Sequence, residues 1–148
     1  TDFIFGADGA DLVGGGAGAD TIWGGDGADD LRGAGGADQI GGGAGDDTID
    51  GGAGDDVLTG GSGNDLFVFA GAFGSDVVRD FSADDAEVMD LSALPDIANF
   101  ADLVTNHLFD DNGTAEIRTG GQEIRLDGIS VGDFGSGQPY SDADFLFA

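Results

Sequence analysis

One feature governs what this chain can fold into: a nine-residue period kept without a gap through its first half. Complete units begin at Gly6, Gly15, Gly24, Gly33, Gly42, Gly51 and Gly60 and end at Val68. The sixth residue of each is Asp (Asp11, Asp20, Asp29, Asp38, Asp47, Asp56 and Asp65), with Asp2 in register from a truncated copy. The eighth is always apolar: Ile4, Val13, Ile22, Leu31, Ile40, Ile49, Leu58 and Phe67. The fourth is always glycine. A flexible linker has no reason to place an apolar residue two positions after every such Asp, so the period argues for a stacked repeat architecture.

The spacing carries its own geometry. Six Gly-rich residues can turn sharply because glycine tolerates positive φ, and the next three, such as Thr21-Ile22-Trp23, suit a short strand. Two units then make one coil of 18 residues, and successive coils stack as parallel strands about 4.8 Å apart. Ile4, Ile22, Ile40 and Leu58 line one sheet, and Val13, Leu31, Ile49 and Phe67 face them from the other. Asp2, Asp20, Asp38 and Asp56 form a column along one edge, and Asp11, Asp29, Asp47 and Asp65 a column along the opposite edge. Carboxylates stacked at that spacing repel by roughly 1 kcal/mol per adjacent pair even in water. Calcium reverses the sign, because it takes ~6–8 oxygen ligands in forgiving geometry and can accept carboxylates and carbonyls from two coils at once. Three gaps on each edge suggest about six ions. With no Cys and only His107, the donor set does not suit zinc or copper.

The pattern G-G-x-G-x-D-x-(apolar)-x resembles the calcium-binding nonapeptide of the RTX (repeats-in-toxin, haemolysin-type) family of secreted bacterial proteins. The resemblance implies that carbonyls of the first four positions join the sixth-position Asp. Gly24, Gly25 and Gly27 would act with Asp29, and Gly42, Gly43 and Gly45 with Asp47. The same register gives Gly6 and Gly9 to Asp11, Gly15, Gly16 and Gly18 to Asp20, and Gly33 and Gly36 to Asp38. It gives Gly51, Gly52 and Gly54 to Asp56, and Gly60, Gly61 and Gly63 to Asp65. Ala7 and Ala34 replace the second glycine, which puts the geometry of those two turns in question. The expected fold is all-β: a parallel β-roll over residues 1–68, closed by a small β-rich cap with a short helix over 69–148. Without calcium the roll is expected to be disordered, since eight small inward side chains offset little of the ~1–2 kcal/mol of backbone entropy per residue.

Charge narrows the partners. Thirty acidic residues face four basic ones, a net charge of −26, and every acidic residue is Asp except Glu87, Glu116 and Glu123. Asp is the shorter arm, as a tight turn aiming a carboxylate inward requires. Nucleic acid and anionic membrane surfaces are unfavourable partners for such a chain, and cations are natural ones. No apolar stretch approaches the ~20 residues of a membrane helix. No cysteine is available for disulfides, which suits a reducing compartment or a chain exported unfolded. Thr1 falls inside a repeat, so the chain is expected to be the C-terminal end of a longer protein. Phe3 and Phe5, apolar at outward positions, are expected to pack on upstream domains of the same polypeptide, and Leu66 and Val68 on the residues C-terminal to the repeat.

Past Val68, Gly74 to Phe81 and then Val88 to Ser92 resemble the segment that closes the roll in RTX proteases and alginate epimerases. There Asp76, Asp80 and Asp90 stand as further calcium ligands or as turn caps. Asn99, with Asp102 three residues on, predicts a helix near 99–108. Ala115 to Thr119 and Gln122 to Leu126 alternate around Gly120-Gly121, a hairpin signal. Asp142 to Ala148 puts acidic residues before an apolar end, which resembles the C-terminal signal read by type I secretion machinery; a final strand explains it as well.

Nothing in the sequence assembles a catalytic set. Gly128-Ile129-Ser130-Val131-Gly132 matches G-x-S-x-G, but the only His precedes the Ser. Asp110-Asp111-Asn112-Gly113 lacks EF-hand spacing and reads as a turn. The expected function is therefore calcium binding: a calcium-triggered folding and secretion module of a secreted, extracellular bacterial protein. The alternatives are a polysaccharide-binding accessory module, with Trp23 as a stacking surface, and a structural module of an adhesin or surface layer.

Overall fold

The structure, a computed structural model, describes residues 1–82, 86–134 and 139–148. The period becomes β1 (Phe3–Asp8), β2 (Leu12–Ala17), β3 (Thr21–Asp26), β4 (Asp30–Gly35), β5 (Gln39–Ala44), β6 (Thr48–Ala53), β7 (Val57–Ser62) and β8 (Leu66–Val68). Odd strands stack in parallel in one sheet and even strands in the other, in the order β1-β3-β5-β7 and β2-β4-β6-β8. The register joins each residue to its equivalent one coil on, as in Ile22 with Ile40 and Leu31 with Ile49.

The first seven strands run six residues, not the three expected at positions seven to nine. Pairing continues into the second and third positions of the following unit and omits only the first-position glycine, as between β1 and β3, where Phe5 pairs with Trp23 and Ala7 with Gly25. The turn glycines are thus part of the ladder while their positive φ bends it. The eighth-position side chains meet between the sheets as expected, with Ile22, Leu31, Ile49, Leu58 and Phe67 fully buried and Ile40 nearly so.

Both sheets run on past Val68. β9 (Ser75–Val78) pairs in parallel with β7, and β10 (Val88–Asp90) with β8. A short α1 (Phe100–Asp102), N-capped by the Asn99 side chain, leads into a π-helical turn over Leu103–His107. β11 (Leu108–Asp111), β12 (Thr114–Thr119) and β13 (Gln122–Leu126) form an antiparallel meander, and β13 joins the first sheet in parallel beside β9. β14 (Phe145–Leu146) pairs with β10 and ends the second sheet. The expected hairpin is present, with φ of 56° at Gly120 and 87° at Gly121 giving the primed turn. Asp110 to Gly113 is likewise the β11–β12 turn, with Asn112 at φ 54° and Gly113 at 91°.

Most buried apolar side chains lie beyond the repeat. Phe81 stacks on Tyr140 at 5.5 Å and Tyr140 on Phe134 at 5.3 Å, with Phe145 against both phenylalanines. The Tyr140 hydroxyl donates to the Phe81 carbonyl at 2.7 Å, tying the end of the chain back to the start of the cap. The roll's own thin core therefore continues into a larger one, and Leu66 and Val68 become half-buried against it. Phe3 and Phe5, at the other end, stand 75% and 69% exposed.

A candidate cation site along each edge of the roll

The turns hold the chemistry. From Asp20 to Asp56 each sixth-position Asp has four polar groups to satisfy, and three have partners within the stack. The Asp38 N–H donates to Asp56 Oδ1 at 2.8 Å, the Asp38 carbonyl accepts the Val57 N–H at 2.9 Å, and Asp38 Oδ1 accepts the Asp20 N–H at 2.7 Å. The same Asp-to-Asp bond recurs from Asp2 to Asp20, Asp11 to Asp29, Asp29 to Asp47 and Asp47 to Asp65, all between 2.7 and 2.9 Å. Sequence periodicity placed these residues in columns; which oxygen each uses was not legible, because a period gives position and not hydrogen-bond partner.

The fourth group is Oδ2. In Asp11, Asp20, Asp29, Asp38, Asp47 and Asp56 this oxygen is sealed from solvent and has no hydrogen-bond partner. A buried carboxylate oxygen without a donor costs several kcal/mol unless a cation or a proton meets it. The repetition of the same orphan at successive turns makes it a designed feature of the architecture rather than a local defect.

The first-position glycines face these oxygens. A methyl on Gly15 would lie 2.8 Å from Asp20 Oδ2 and 3.1 Å from the Gly33 carbonyl oxygen of the next coil. On Gly6 it would lie 2.6 Å from Asp11 Oδ2 and 2.5 Å from the Gly24 oxygen. Gly24, Gly33 and Gly42 repeat the arrangement with Asp29 and Gly42, Asp38 and Gly51, and Asp47 and Gly60. Carboxylate and carbonyl oxygens from two coils therefore converge on one place that only glycine leaves open. At the second and fourth positions a methyl would collide with the carbonyl of the equivalent residue one coil earlier, as Gly25 with Ala7 and Gly27 with Gly9.

Ala7 and Ala34 keep the turn geometry of the glycines they replace, at φ 92° and 76°. An L-residue there costs roughly 1–2 kcal/mol, so these two turns are strained but not rearranged.

Burial sets the electrostatics. Desolvation pushes the carboxyl of Asp47 up to about 6 and raises those of Asp38 and Asp56, against the lowering effect of the backbone N–H each accepts. Neighbouring aspartates push the same way. Arg32, Arg118 and Arg125 are engaged elsewhere, with Asp30, with Glu116 and Glu123, and with Asp127. Among the described residues no three acidic or His side chains gather at one point, so any cation here would depend on main-chain carbonyls to fill its shell. Hard oxygen donors, a carboxylate at each coil and flexible carbonyl supply fit calcium.

The three further aspartates of the cap divide. Asp80 accepts the N–H groups of Gly60 and Gly61 at 2.9 Å each, and Asp90 accepts that of Ser92 at 2.9 Å, so both serve as caps. Asp76 instead extends a column: its Oδ1 accepts the Asp56 N–H at 2.9 Å, and burial pushes its carboxyl up to about 7. The nine-residue count had placed it outside the repeat.

The remaining singled-out residues have structural partners. Ser130 accepts and returns hydrogen bonds with Asp133 as an N-cap, while His107 contacts the Arg118 carbonyl at 2.8 Å. Trp23, 46% exposed, rests its ring on the backbone of Gly41 one coil on.

Comparison with known proteins points to the same kind of repeat. The family described as RTX calcium-binding nonapeptide repeat (4 copies) matches residues 5–40 and 32–67. No curated protein matches the chain. Among solved structures, the AlgE6R3 subunit of the Azotobacter vinelandii mannuronan C5-epimerase is similar at 27% identity, over 97% of this chain and 81% of that one, with a TM-score of 0.43. The extracellular lipase LipA of Serratia marcescens is similar at 17% identity and a TM-score of 0.52, over 99% of this chain. The chain spans 40% of that lipase's length, and the likeness shows a shared fold. Residues 5–67 are thus a run of RTX calcium-binding nonapeptide repeats.

Proposed function

We propose that the chain is a calcium-triggered folding and export module in which ions seated between successive coils neutralise the two Asp columns. The observation that carries this reading is the repeated buried Oδ2 without a hydrogen-bond partner. Each ion would take Oδ2 of a sixth-position Asp and main-chain carbonyls of the first, second and fourth positions of adjoining coils. The cation supplies charge neutralisation and a cross-link between coils; the chain supplies the turn that holds the oxygens together.

Magnitudes support a switch. Calcium modules that work outside cells bind at ~10⁻⁴–10⁻³ M. At ten times such a Kd each independent ion adds about 1.4 kcal/mol, so six would add ~8 kcal/mol, comparable with the ~5–15 kcal/mol stability of a whole domain. In the calcium-poor cytoplasm the roll stays open and passes type I secretion machinery, with the acidic-then-apolar C-terminus as its signal. Outside the cell, calcium closes the roll and supports the folding of upstream domains of the same polypeptide.

Small-angle scattering tests the switch. The radius of gyration is expected to fall from roughly 40 Å in chelator to roughly 15 Å in millimolar calcium. An unchanged compact radius in chelator would refute calcium-triggered folding. Export is tested by fusing a reporter ahead of Thr1 in cells carrying a type I exporter; secretion that persists after deletion of the final strand would refute the signal.

A further inference from the structure

Residues 71–79 read Gly-Ala-Phe-Gly-Ser-Asp-Val-Val-Arg, which is G-x-x-G-x-D-x-(apolar)-x displaced by the insertion of Phe69 and Ala70. The structure restores the register. The Gly54 N–H donates to the Phe73 carbonyl at 3.1 Å, as the Gly36 N–H does to Ala53 at 2.8 Å one coil earlier. The Asp56 N–H donates to Asp76 Oδ1 at 2.9 Å, as the Asp38 N–H does to Asp56 Oδ1 at 2.8 Å. The Val77 N–H donates to the Asp56 carbonyl at 2.8 Å, as the Val57 N–H does to Asp38 at 2.9 Å. Gly74, at φ 91°, stacks so closely on the Gly54 carbonyl that a methyl there would collide with it, as one on Gly54 would with Gly36. Val78 takes the inward eighth position and is fully buried. The entry to the turn differs: the positive φ is at Gly71 and not at Ala72, and a methyl on Gly71 would meet nothing within 4 Å, unlike one on the other first-position glycines.

Asp56 Oδ2, buried and without a hydrogen-bond partner, lies against Gly51 in the turn on which the added coil stacks through the Asp56–Asp76 hydrogen bond. β9, which carries Asp76, pairs with β7 of the roll on one side and with β13 of the cap meander on the other, where Asp76 is opposite Ile124. We propose that residues 71–79 are a hidden further unit of the repeat. Asp56 and Asp76 together hold a calcium ion there that fastens the cap meander to the roll. The proposal rests on the calcium-binding reading above and adds to it a ligand outside the matched repeat and a docking role.

Native mass spectrometry of the full chain in calcium, comparing wild type with Asp76→Asn, counts the ions, and amide exchange reads the docking. The variant is expected to bind one ion fewer and to lose amide protection over Glu123–Leu126 while Ile22 and Ile40 stay protected. An unchanged ion count and unchanged protection in the variant, with a calcium-loaded wild type, would overturn this site alone. A wild type that binds no calcium would overturn the parent reading as well. If the variant does not fold, crystals of the wild type grown with strontium decide. An anomalous peak between Asp56 and Asp76 supports the site, and its absence beside filled sites elsewhere overturns it.

Discussion

Gly42→Ala puts a methyl into the oxygen cradle itself. Gly42 does not have a positive φ, so alanine brings no backbone strain. Its methyl would meet Asp47 Oδ2 and lie 2.6 Å from the Gly60 carbonyl oxygen, occupying the place where the two coils' oxygens converge. A strain-free Gly→Ala change ordinarily stabilises by ~0.4–1 kcal/mol through the unfolded chain. Here it should instead cost an ion, in addition to the shift that the 2.6 Å approach to the Gly60 carbonyl forces on the next coil. The ion's share is read from the difference between melts with and without calcium. With a Kd of ~10⁻⁴–10⁻³ M and about 10 mM calcium, one site contributes roughly 1.4–2.7 kcal/mol. At ~2.1 cal/mol/K of unfolding entropy per residue, loss of the ion alone lowers the Tm by about 4–9 °C. Gly14→Ala is the control, since nothing lies within 4 Å of its added methyl and its φ is not positive. Thermal melts followed by circular dichroism in calcium read the difference, and calorimetric titration reads the ion count. A Gly42→Ala chain that melts with the control and binds the same number of ions would refute the placement of calcium against the first-position glycine.

Three other perturbations test the account independently. The raised carboxyls of Asp47 and Asp76, near 6 and 7, bind protons in the folded calcium-free chain that the unfolded chain has released. Calcium-free stability should therefore be greatest near pH 4 and decline as pH rises through 6 to 7, the opposite of calcium affinity, which rises with pH; stability that climbs from pH 4 to 8 without calcium would contradict this. Ile49→Ala, at a fully buried position paired with Leu31 and Phe67, should cost about 2–5 kcal/mol in denaturant unfolding at saturating calcium, and a loss under 1 kcal/mol would argue against a packed roll interior. Asn99→Ala removes the cap whose Oδ1 accepts the Asp102 N–H at 3.0 Å and should cost about 1 kcal/mol, with faster amide exchange confined to 100–107.

The roll was legible because its information is periodic. A strict spacing assigns Ile22 and Leu31 to opposite sheets and the aspartates to edges with no knowledge of the rest of the chain. The period could not show that the Asp N–H and Oδ1 would satisfy each other between coils, which leaves Oδ2 as the oxygen for a cation. It also hid Asp76, because two inserted residues interrupt the count while the backbone hydrogen bonds resume beyond them. In the cap, the parts set by local chemistry were readable: the Asn99 cap, and the Gly120-Gly121 turn. The parallel pairing of β13 with β9 and of β14 with β10 was not. Those contacts join segments far apart in sequence, and their strands carry no motif that names the partner.

The measurement that bears most directly on the central claim is far-UV circular dichroism during a calcium titration of calcium-stripped protein at neutral pH, with magnesium as the comparison. Calcium is expected to bring a cooperative gain of β signal at roughly 10⁻⁴–10⁻³ M, and magnesium, which demands tighter octahedral geometry and keeps its waters, is expected to bring none. A full β signal before any calcium is added, unchanged by either ion, would contradict the claim that metal between the coils makes the roll fold.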